Sequence, residues 1–402
     1  MMLRHLLKLI WKRKSRNMML SLEILLAFVV VFAIAAFALR SYQLYRMPTG
    51  FSYQDVWSAS LNARNEGGIE ADPLIYDKLR QSLKALPEVQ EVGFSSFPVY
   101  QSSNWTSEFT LREGKRKFVS NLFQISDEFP AVVNMTLAEG RWFSRADDGA
   151  AERPVVINRR LAQKLFDGKP ALGQVFSEDE DNPNKALKQF KVVGIVEEFR
   201  SQGEFMSPPS FMLVRHQTGA GEGGLEAIQL KVRPGTPRTF EAALNRQLKL
   251  VRNDWSYTIS PVADMRTSML KTQTIPLTVL AVIAAFLLVM VAFGLFGVLW
   301  QNTTQRIPEI GLRRAIGADS GHIYSQIIVE QMLLSSGAMA IALLLLVQLP
   351  LTGAMGDSLN WTVFLMAATL SAGVIYLLSL LCSLYPGWRA ARLSPTQALH
   401  YE

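Results

Sequence analysis

Apolar residues gather along the chain in four long runs. From Ile275 to Trp300 there are 26 consecutive residues without a charge, and a helix needs only about 20 to cross roughly 30 Å of hydrocarbon. Met332 to Leu351 and Trp361 to Leu384 are likewise free of Asp, Glu, Lys and Arg. The connection between them holds Asp357, with Pro350, Gly353 and Gly356 to turn a helical hairpin. The first run, Asn17 to Leu39, contains one acid, Glu23. Near a helix end that acid costs less than the roughly 2.5 to 3.5 kcal/mol expected at the bilayer centre. Ala36-Phe37-Ala38 after a basic start also fits a signal-peptide cleavage pattern, but a signal h-region has about 7 to 15 residues and this run is longer. An uncleaved anchor is expected. The pattern thus predicts spans at 19–40, 275–300, 331–351 and 361–384.

Between the first two runs the periodicity is that of a folded module. Leu79, Leu83 and Leu86 predict an amphipathic helix over Pro73 to Leu86, followed by a strand-like Val89 to Phe94. The same grammar returns at the far end: strand Ala227 to Val232, turn Pro234-Gly235, helix Phe240 to Leu250, strand Trp255 to Ile259. Matching units at both ends predict one α+β subdomain closed by chain from both sides. Inside it lies a strand-rich region. Val155 to Ile157 reads as a strand, Asn158 as the cap of a helix Arg159 to Phe166, and Phe190 to Phe199 as a β-rich run. Glu178 to Asp181 with Asn182-Pro183-Asn184 reads as a solvated loop, and it lacks the spacing of an EF-hand calcium loop. The expected fold class is an α-helical membrane protein with four transmembrane helices and a large α+β extracytoplasmic domain, 41–274, between helices 1 and 2.

Charge sharpens the topology. The 402 residues carry 41 Lys plus Arg against 34 Asp plus Glu, a net charge of +7. In a soluble protein that surplus would raise the question of nucleic acid. Here Arg4, Lys8, Lys12, Arg13, Lys14 and Arg16 crowd into residues 1–18 without an acid, whereas 41–274 holds 29 basic and 28 acidic residues. Arg306, Arg313 and Arg314 lie in the 301–330 connection, and Arg389 and Arg392 in the tail, 385–402. By the positive-inside bias both termini and this connection are expected in the cytoplasm and the large domain outside. The surplus then records topology, with no hint of nucleic acid. Leu3, Leu6, Leu7, Ile10 and Trp11 recur at helical spacing opposite Arg4, Lys8 and Lys12. Residues 1–18 therefore read either as a cytoplasmic amphipathic helix on membrane lipid or as a basic stop signal that is only partly helical.

Candidate chemistry is sparse. The single Cys, Cys382, excludes a disulfide within the chain, and His5, His216, His322 and His400 are scattered across compartments. No G-x-x-x-x-G-K-[ST], G-x-S-x-G or H-E-x-x-H occurs. Gly219, Gly221 and Gly224 spell G-x-G-x-x-G, but without the strand before and helix after that phosphate binding needs. Asn104-Trp105-Thr106 and Asn134-Met135-Thr136 would accept a glycan only in a eukaryotic secretory host. No catalytic, cofactor or metal residue is expected.

The connection after the second run is more informative. It reads Arg306-Ile307-Pro308-Glu309-Ile310-Gly311-Leu312-Arg313-Arg314-Ala315-Ile316-Gly317-Ala318, and Glu330 opens the next span. A Pro start, a charged helical stretch and a Gly-Ala break suit a small helix on the membrane face, with Glu309 and Arg313 placed to pair four residues apart. The arginines alone would equally serve as topogenic charges against headgroups. This stretch resembles the signature of MacB/FtsX-type permeases of ABC transporters. Tyr385 to Leu399 is similar to that family's C-terminal ending. Gly140-Arg141-Trp142-Phe143, Val155 to Asn158, Leu161-Ala162, Leu172-Gly173 and Val192 to Val196 resemble its periplasmic domain.

That resemblance implies a type VII ABC permease of the bacterial inner membrane, its outer domain built of porter-like and Sabre-like subdomains. Two four-span subunits would pair, the partner being a second copy or a homologous permease. Each would rest on a MacB- or LolD-like ATPase that binds ATP and Mg. In MacB the ATPase is fused N-terminally; here 18 residues precede the first span, so an ATPase in trans is expected. A periplasmic adaptor and an outer-membrane channel are further implied partners. The ATPase would contact Arg306, Glu309, Gly311, Arg313, Arg314 and Gly317, the charged residues as polar contacts and the glycines as points of close approach. A second helix starting near Asp264 and ending at Trp300 would be roughly 54 Å long at 1.5 Å per residue, a stalk suited to mechanotransmission in export or extrusion. The alternative is an FtsX-like regulatory anchor that activates a cell-envelope enzyme or transmits a signal.

Overall fold

The computed structural model describes residues 14–62, 73–111, 116–166, 168–178, 188–216 and 225–392. The amphipathic start at 1–13, the Gly219, Gly221 and Gly224 loop, the acidic stretch after Glu178 and the tail from 393 lie outside the described residues. In chain order the elements begin with α1 (Lys14–Arg46), β1 (Val56–Asn62), α2 (Pro73–Lys84), β2 (Val89–Ser95), β3 (Trp105–Leu111) and β4 (Arg116–Ile125). Next come α3 (Phe129–Val132), β5 (Glu139–Gly140), β6 (Arg153–Asn158), α4 (Arg159–Phe166), β7 (Val175–Glu178), β8 (Gln189–Val196) and β9 (Phe211–Arg215). The chain continues through β10 (Ala227–Val232), α5 (Phe240–Val251), β11 (Ser256–Pro261) and α6 (Val262–Thr304). It closes with α7 (Ile307–Ala315), α8 (Ser320–Leu346), α9 (Gln348–Thr352) and α10 (Trp361–Arg392). Two units emerge, one of residues up to Gln43 with those from Thr274, the other Leu44–Gln273.

The first unit holds four helices long and apolar enough to cross a membrane. In lipid the hydrophobic effect does not drive helices together, so close packing and small residues must. Ala338 and Ala342 of α8 and Ala367 of α10 are fully or nearly buried, and the Ser335 and Ser379 hydroxyls share a 2.9 Å hydrogen bond between these helices. Phe32 of α1 meets Phe364 of α10 edge-on at 5.3 Å. The helices run past the expected spans. The first begins at Lys14 and continues to Arg46, with Glu23 nine residues from its start. The second begins at Val262, close to the expected Asp264, and carries Pro276 within it. Pro350 sits in the short α9, and the turn itself uses Gly353 and Gly356, both at positive φ. The last helix passes through Pro386 to Arg392, so the first part of the expected tail is helix.

The outer unit, Leu44–Gln273, is built on two sheet regions. An antiparallel sheet β11-β1-β10-β2 carries α2 and α5 on one face. Leu79 and Leu83 of α2, and Phe240, Leu244 and Leu248 of α5, are buried with Trp57, Phe94, Leu230 and Ile259. Both ends of the insertion thus close one subdomain. The second region is a ring: β4 pairs β3, then β7, β8, β6 and β9 follow, and β9 returns to β4 in parallel register at Asn121↔Phe211 to Ile125↔Arg215. Such closure leaves no free edge within the ring. Phe109, Phe118, Phe176 and Phe190 pack together at its centre with ring centroids 5.4–5.7 Å apart. Asn158 caps α4 as expected, accepting from Leu161 N at 3.1 Å. It also ties β9 in place by accepting from Phe211 N at 3.1 Å and donating to Pro209 O at 2.8 Å.

Beyond β8 the chain makes a buried clamp. Arg200 is fully buried, and its guanidinium donates to the carbonyls of Leu44 (3.0 Å), Pro48 (3.1 Å), Glu204 (2.7 Å) and Met206 (3.2 Å), and to that of Met47. Carbonyls at and just beyond the end of α1 are satisfied this way, Leu44 O accepting from Met47 N as well. Four residues on, Glu204 takes Arg266 of α6 at 2.5 Å, and that guanidinium lies 4.6 Å over the Tyr53 ring.

Candidate functional site

The segment singled out in the sequence folds as α7, a helix of nine residues with Pro308 in its first turn. Proline is tolerated there because the missing N–H has no helical acceptor anyway. Arg306 precedes the helix and reaches Glu330 of α8 with both terminal nitrogens, at 2.6 and 2.7 Å. The pair is largely enclosed, with 19% and 9% side-chain exposure. Arg306, expected as an ATPase contact, thus also fixes where α7 begins. Glu309 and Arg313 pair on the exposed side at 2.6 Å, and Arg313 also donates to Gln326 Oε1 at 3.3 Å. Arg314 turns inward and donates to Ala391 O at 3.0 Å, near the end of α10.

The two glycines take separate places in the fold. Gly311 is buried with Ile307 and Ile310 on the inner face of α7, where it belongs to packing. Gly317 ends the helix: its φ is +103°, its N–H bonds Arg314 O at 3.0 Å, and Ala318 N bonds Arg313 O at 3.0 Å. These two bonds form a Schellman motif, which needs a residue in the left-handed region. Behind α7, Ile310, Ile323 and Ala390 make a small core with Ile327. The ring of Tyr324 lies so close to Gly387 that an added Cβ would come within 3.1 Å of it. The two stretches that carried the family resemblance thus pack on each other. Beside them Trp300 and Tyr385 stack at 5.8 Å, with Arg389 4.5 Å over Trp300.

What remains on the outer face of α7 is apolar. Pro308, Leu312, Ala315 and Ile316 are exposed, Leu312 at 56% and Ile316 at 78%. These positions share one face at i, i+4, i+7 and i+8. This stripe is not among the expected contacts, although its spacing is visible in the sequence. Among the described residues no group of His, Cys, Asp or Glu is placed to hold a metal ion.

Four apolar helices, a folded insertion after the first and a short amphipathic helix after the second define a multi-pass membrane protein. The family follows from direct comparison. The model of the MacB-like periplasmic core domain matches residues 18–247, more than half of the chain, and that of the FtsX-like permease C-terminal domain matches 281–395. The chain belongs to the MacB/FtsX-like family of ABC transporter permeases. It is 26% identical over 299 residues to the macrolide export ATP-binding/permease protein MacB of Marinobacter nauticus, covering 73% of this chain and 45% of that one. It is 24% identical over 291 residues to the ABC transporter permease YknZ of Bacillus subtilis, covering 69% of each. The chain thus spans less than half the length of the MacB relative. The crystal structure of the periplasmic region of MacB from Actinobacillus actinomycetemcomitans aligns with a TM-score of 0.39 and 15% identity, over 56% of this chain and 97% of that one.

Proposed function

We propose that this chain is the permease subunit of a type VII ABC transporter, coupling ATP hydrolysis by a separate ATPase to motion of its outer domain for export. The observation that carries the reading is the exposed apolar stripe of α7. Arg306–Glu330, Arg314–Ala391 and the Ile310 core fix the helix from behind, so a push on Leu312 and Ile316 is passed to α8 and α10 instead of being absorbed. The ATPase would bind ATP and Mg; no P-loop sequence occurs in these 402 residues. With the positive-inside bias, α7 and both termini lie in the cytoplasm. Helix α6, 43 residues long, measures roughly 65 Å at 1.5 Å per residue, more than twice the roughly 30 Å of hydrocarbon. That length suits mechanical transmission without a channel through the spans. A paired permease, a periplasmic adaptor and an outer-membrane channel complete the proposed assembly.

The test uses the ATPase that copurifies with the wild-type chain. Leu312→Asp with Ile316→Asp should cut its recovery at least tenfold, since each aliphatic side chain contributes about 1.5 to 3 kcal/mol when buried. The permease itself should keep its unfolding midpoint. Glu309→Lys and Arg313→Glu should reduce coupling further. Full ATPase recovery and stimulation in the double variant and in both charge variants would remove α7 as the docking element. Recovery of a peptidoglycan hydrolase in place of an adaptor would instead support the FtsX-like regulatory role.

A further inference from the structure

Near the ends of α6 and α10 the side chains of the two helices form one ladder of rings. Phe296 and Trp300 of α6 stack with Tyr385 of α10 at 6.2 and 5.8 Å, and Tyr385 stacks with Trp388 at 6.2 Å. Two guanidinium groups lie on these rings, Arg389 4.5 Å over Trp300 and Arg392 4.5 Å over Trp388. A guanidinium held flat over a ring by its charge still has its N–H edge to offer another partner. Among the described residues neither arginine has a carboxylate or a hydrogen-bond acceptor, and the indole N–H groups of Trp300 and Trp388 and the Tyr385 hydroxyl bond nothing either. The ladder therefore presents two positive charges and several donors, with no acid to balance them.

Its place along the helices defines the occupant. The charge-free runs of α6 and α10 stop at Trp300 and Leu384, and rings at such a point mark a membrane–water boundary. On α10 the ladder prolongs an exposed apolar stripe, for Leu377 and Leu381 are more than half exposed, Leu384 is exposed, and Tyr385 and Trp388 follow as exposed rings. Positions 377, 381, 384, 388 and 392 share one helix face. A face that continues the lipid side of a span reaches headgroups before it reaches any protein. The headgroup layer is roughly 5 to 7 Å deep on each side of the hydrocarbon, and Arg389 stands four residues beyond Tyr385, roughly 6 Å along the helix. Arg392 starts further out, but its side chain turns back over Trp388. Both charges thus come to the level of the phosphates. A zwitterionic headgroup would bring its own cation to them, whereas an anionic one would not. We propose that this ladder is a binding site for an anionic phospholipid, its phosphate on Arg389 and Arg392 and its chains along Leu377 to Tyr385.

The full-length chain is reconstituted in vesicles of equal parts phosphatidylglycerol and phosphatidylcholine. In parallel samples one or the other lipid carries a photoreactive diazirine near its glycerol, and the labelled residues are read by mass spectrometry. In wild type the phosphatidylglycerol probe should label 296–300 and 377–392 at least fivefold more than the phosphatidylcholine probe. Arg389→Gln with Arg392→Gln should bring the two probes level there and leave labelling of the first span unchanged. Equal labelling of these segments by both probes in wild type, or a preference that survives the double variant, overturns the proposal. If the double variant is not recovered folded, Arg392→Glu alone decides: an unchanged preference overturns it. Loss of a copurifying protein from the double variant with lipid labelling unchanged would give the arginines to a protein partner and also overturn it.

Discussion

Arg306 and Glu330 stand 24 residues apart in sequence and share two short hydrogen bonds at the base of α7. Enclosed pairs of this kind lose most when one partner goes, because the other is left charged and without a counter-ion. Arg306→Ala or Glu330→Ala should each cost about 3 to 5 kcal/mol, and Arg306→Met combined with Glu330→Leu much less. Unfolding midpoints in detergent check this, and equal losses for the single and double variants would mean the pair is not a unit. The Glu309–Arg313 bond was legible from spacing, and the Asn158 cap from its place before an apolar period. Gly317 was legible as the break that ends the helix, because a glycine just past a last turn holding Arg313 and Arg314 is the usual stop signal. Arg314 was not legible: its acceptor is a main-chain carbonyl 77 residues away, and no pattern in the sequence names a carbonyl.

Among the elements, the four apolar helices were legible because length without charge is a physical requirement of crossing lipid. The extension of the second helix back to Val262 was legible too, near the expected Asp264, whereas that of the first through Ser41 to Arg46 was not, since those residues have the composition of ordinary surface helix. The β elements show the opposite limit. Strands β6 and β8 stood out as apolar runs, but ring closure depends on β9 joining β4 in parallel across some ninety residues, and period-2 patterning carries no information about partners. Least visible was the clamp, for Arg200 reads in sequence as one more surface charge. Its removal should be felt where its acceptors are. In Arg200→Met the carbonyls of Leu44 and Glu204 lose charged donors, each such bond contributing about 1.5 to 3 kcal/mol. Hydrogen exchange of residues 44–51 should quicken at least tenfold while β6 stays protected. Unchanged exchange at 44–51 would show that the clamp is not what holds the end of α1.

On the scale of the whole molecule, ion pairs of the outer unit make stability depend on pH in a direction that can be worked out. A hydrogen bond from Arg141 holds the Asp147 carboxyl below its ordinary value of 3.8, and one from Arg159 holds Glu197 below 4.5. An acid whose folded value is lowered keeps its charge while the unfolded chain takes up a proton. Its stabilisation is complete above the ordinary value and is lost as pH falls through it toward the lowered one. The unfolding midpoint of the full chain should therefore be level from pH 7 to about 5 and fall below that, by the linkage between proton uptake and stability. Arg141 and Glu197 are 55% and 67% exposed, so solvent screens both pairs and the fall should be gentle, shallower still in high salt. Asp147→Asn should start from a lower midpoint at pH 7 and decline less on acidification than wild type. If its curve runs parallel to wild type from pH 7 to 3.5, the Arg141 pair contributes nothing that protonation can remove.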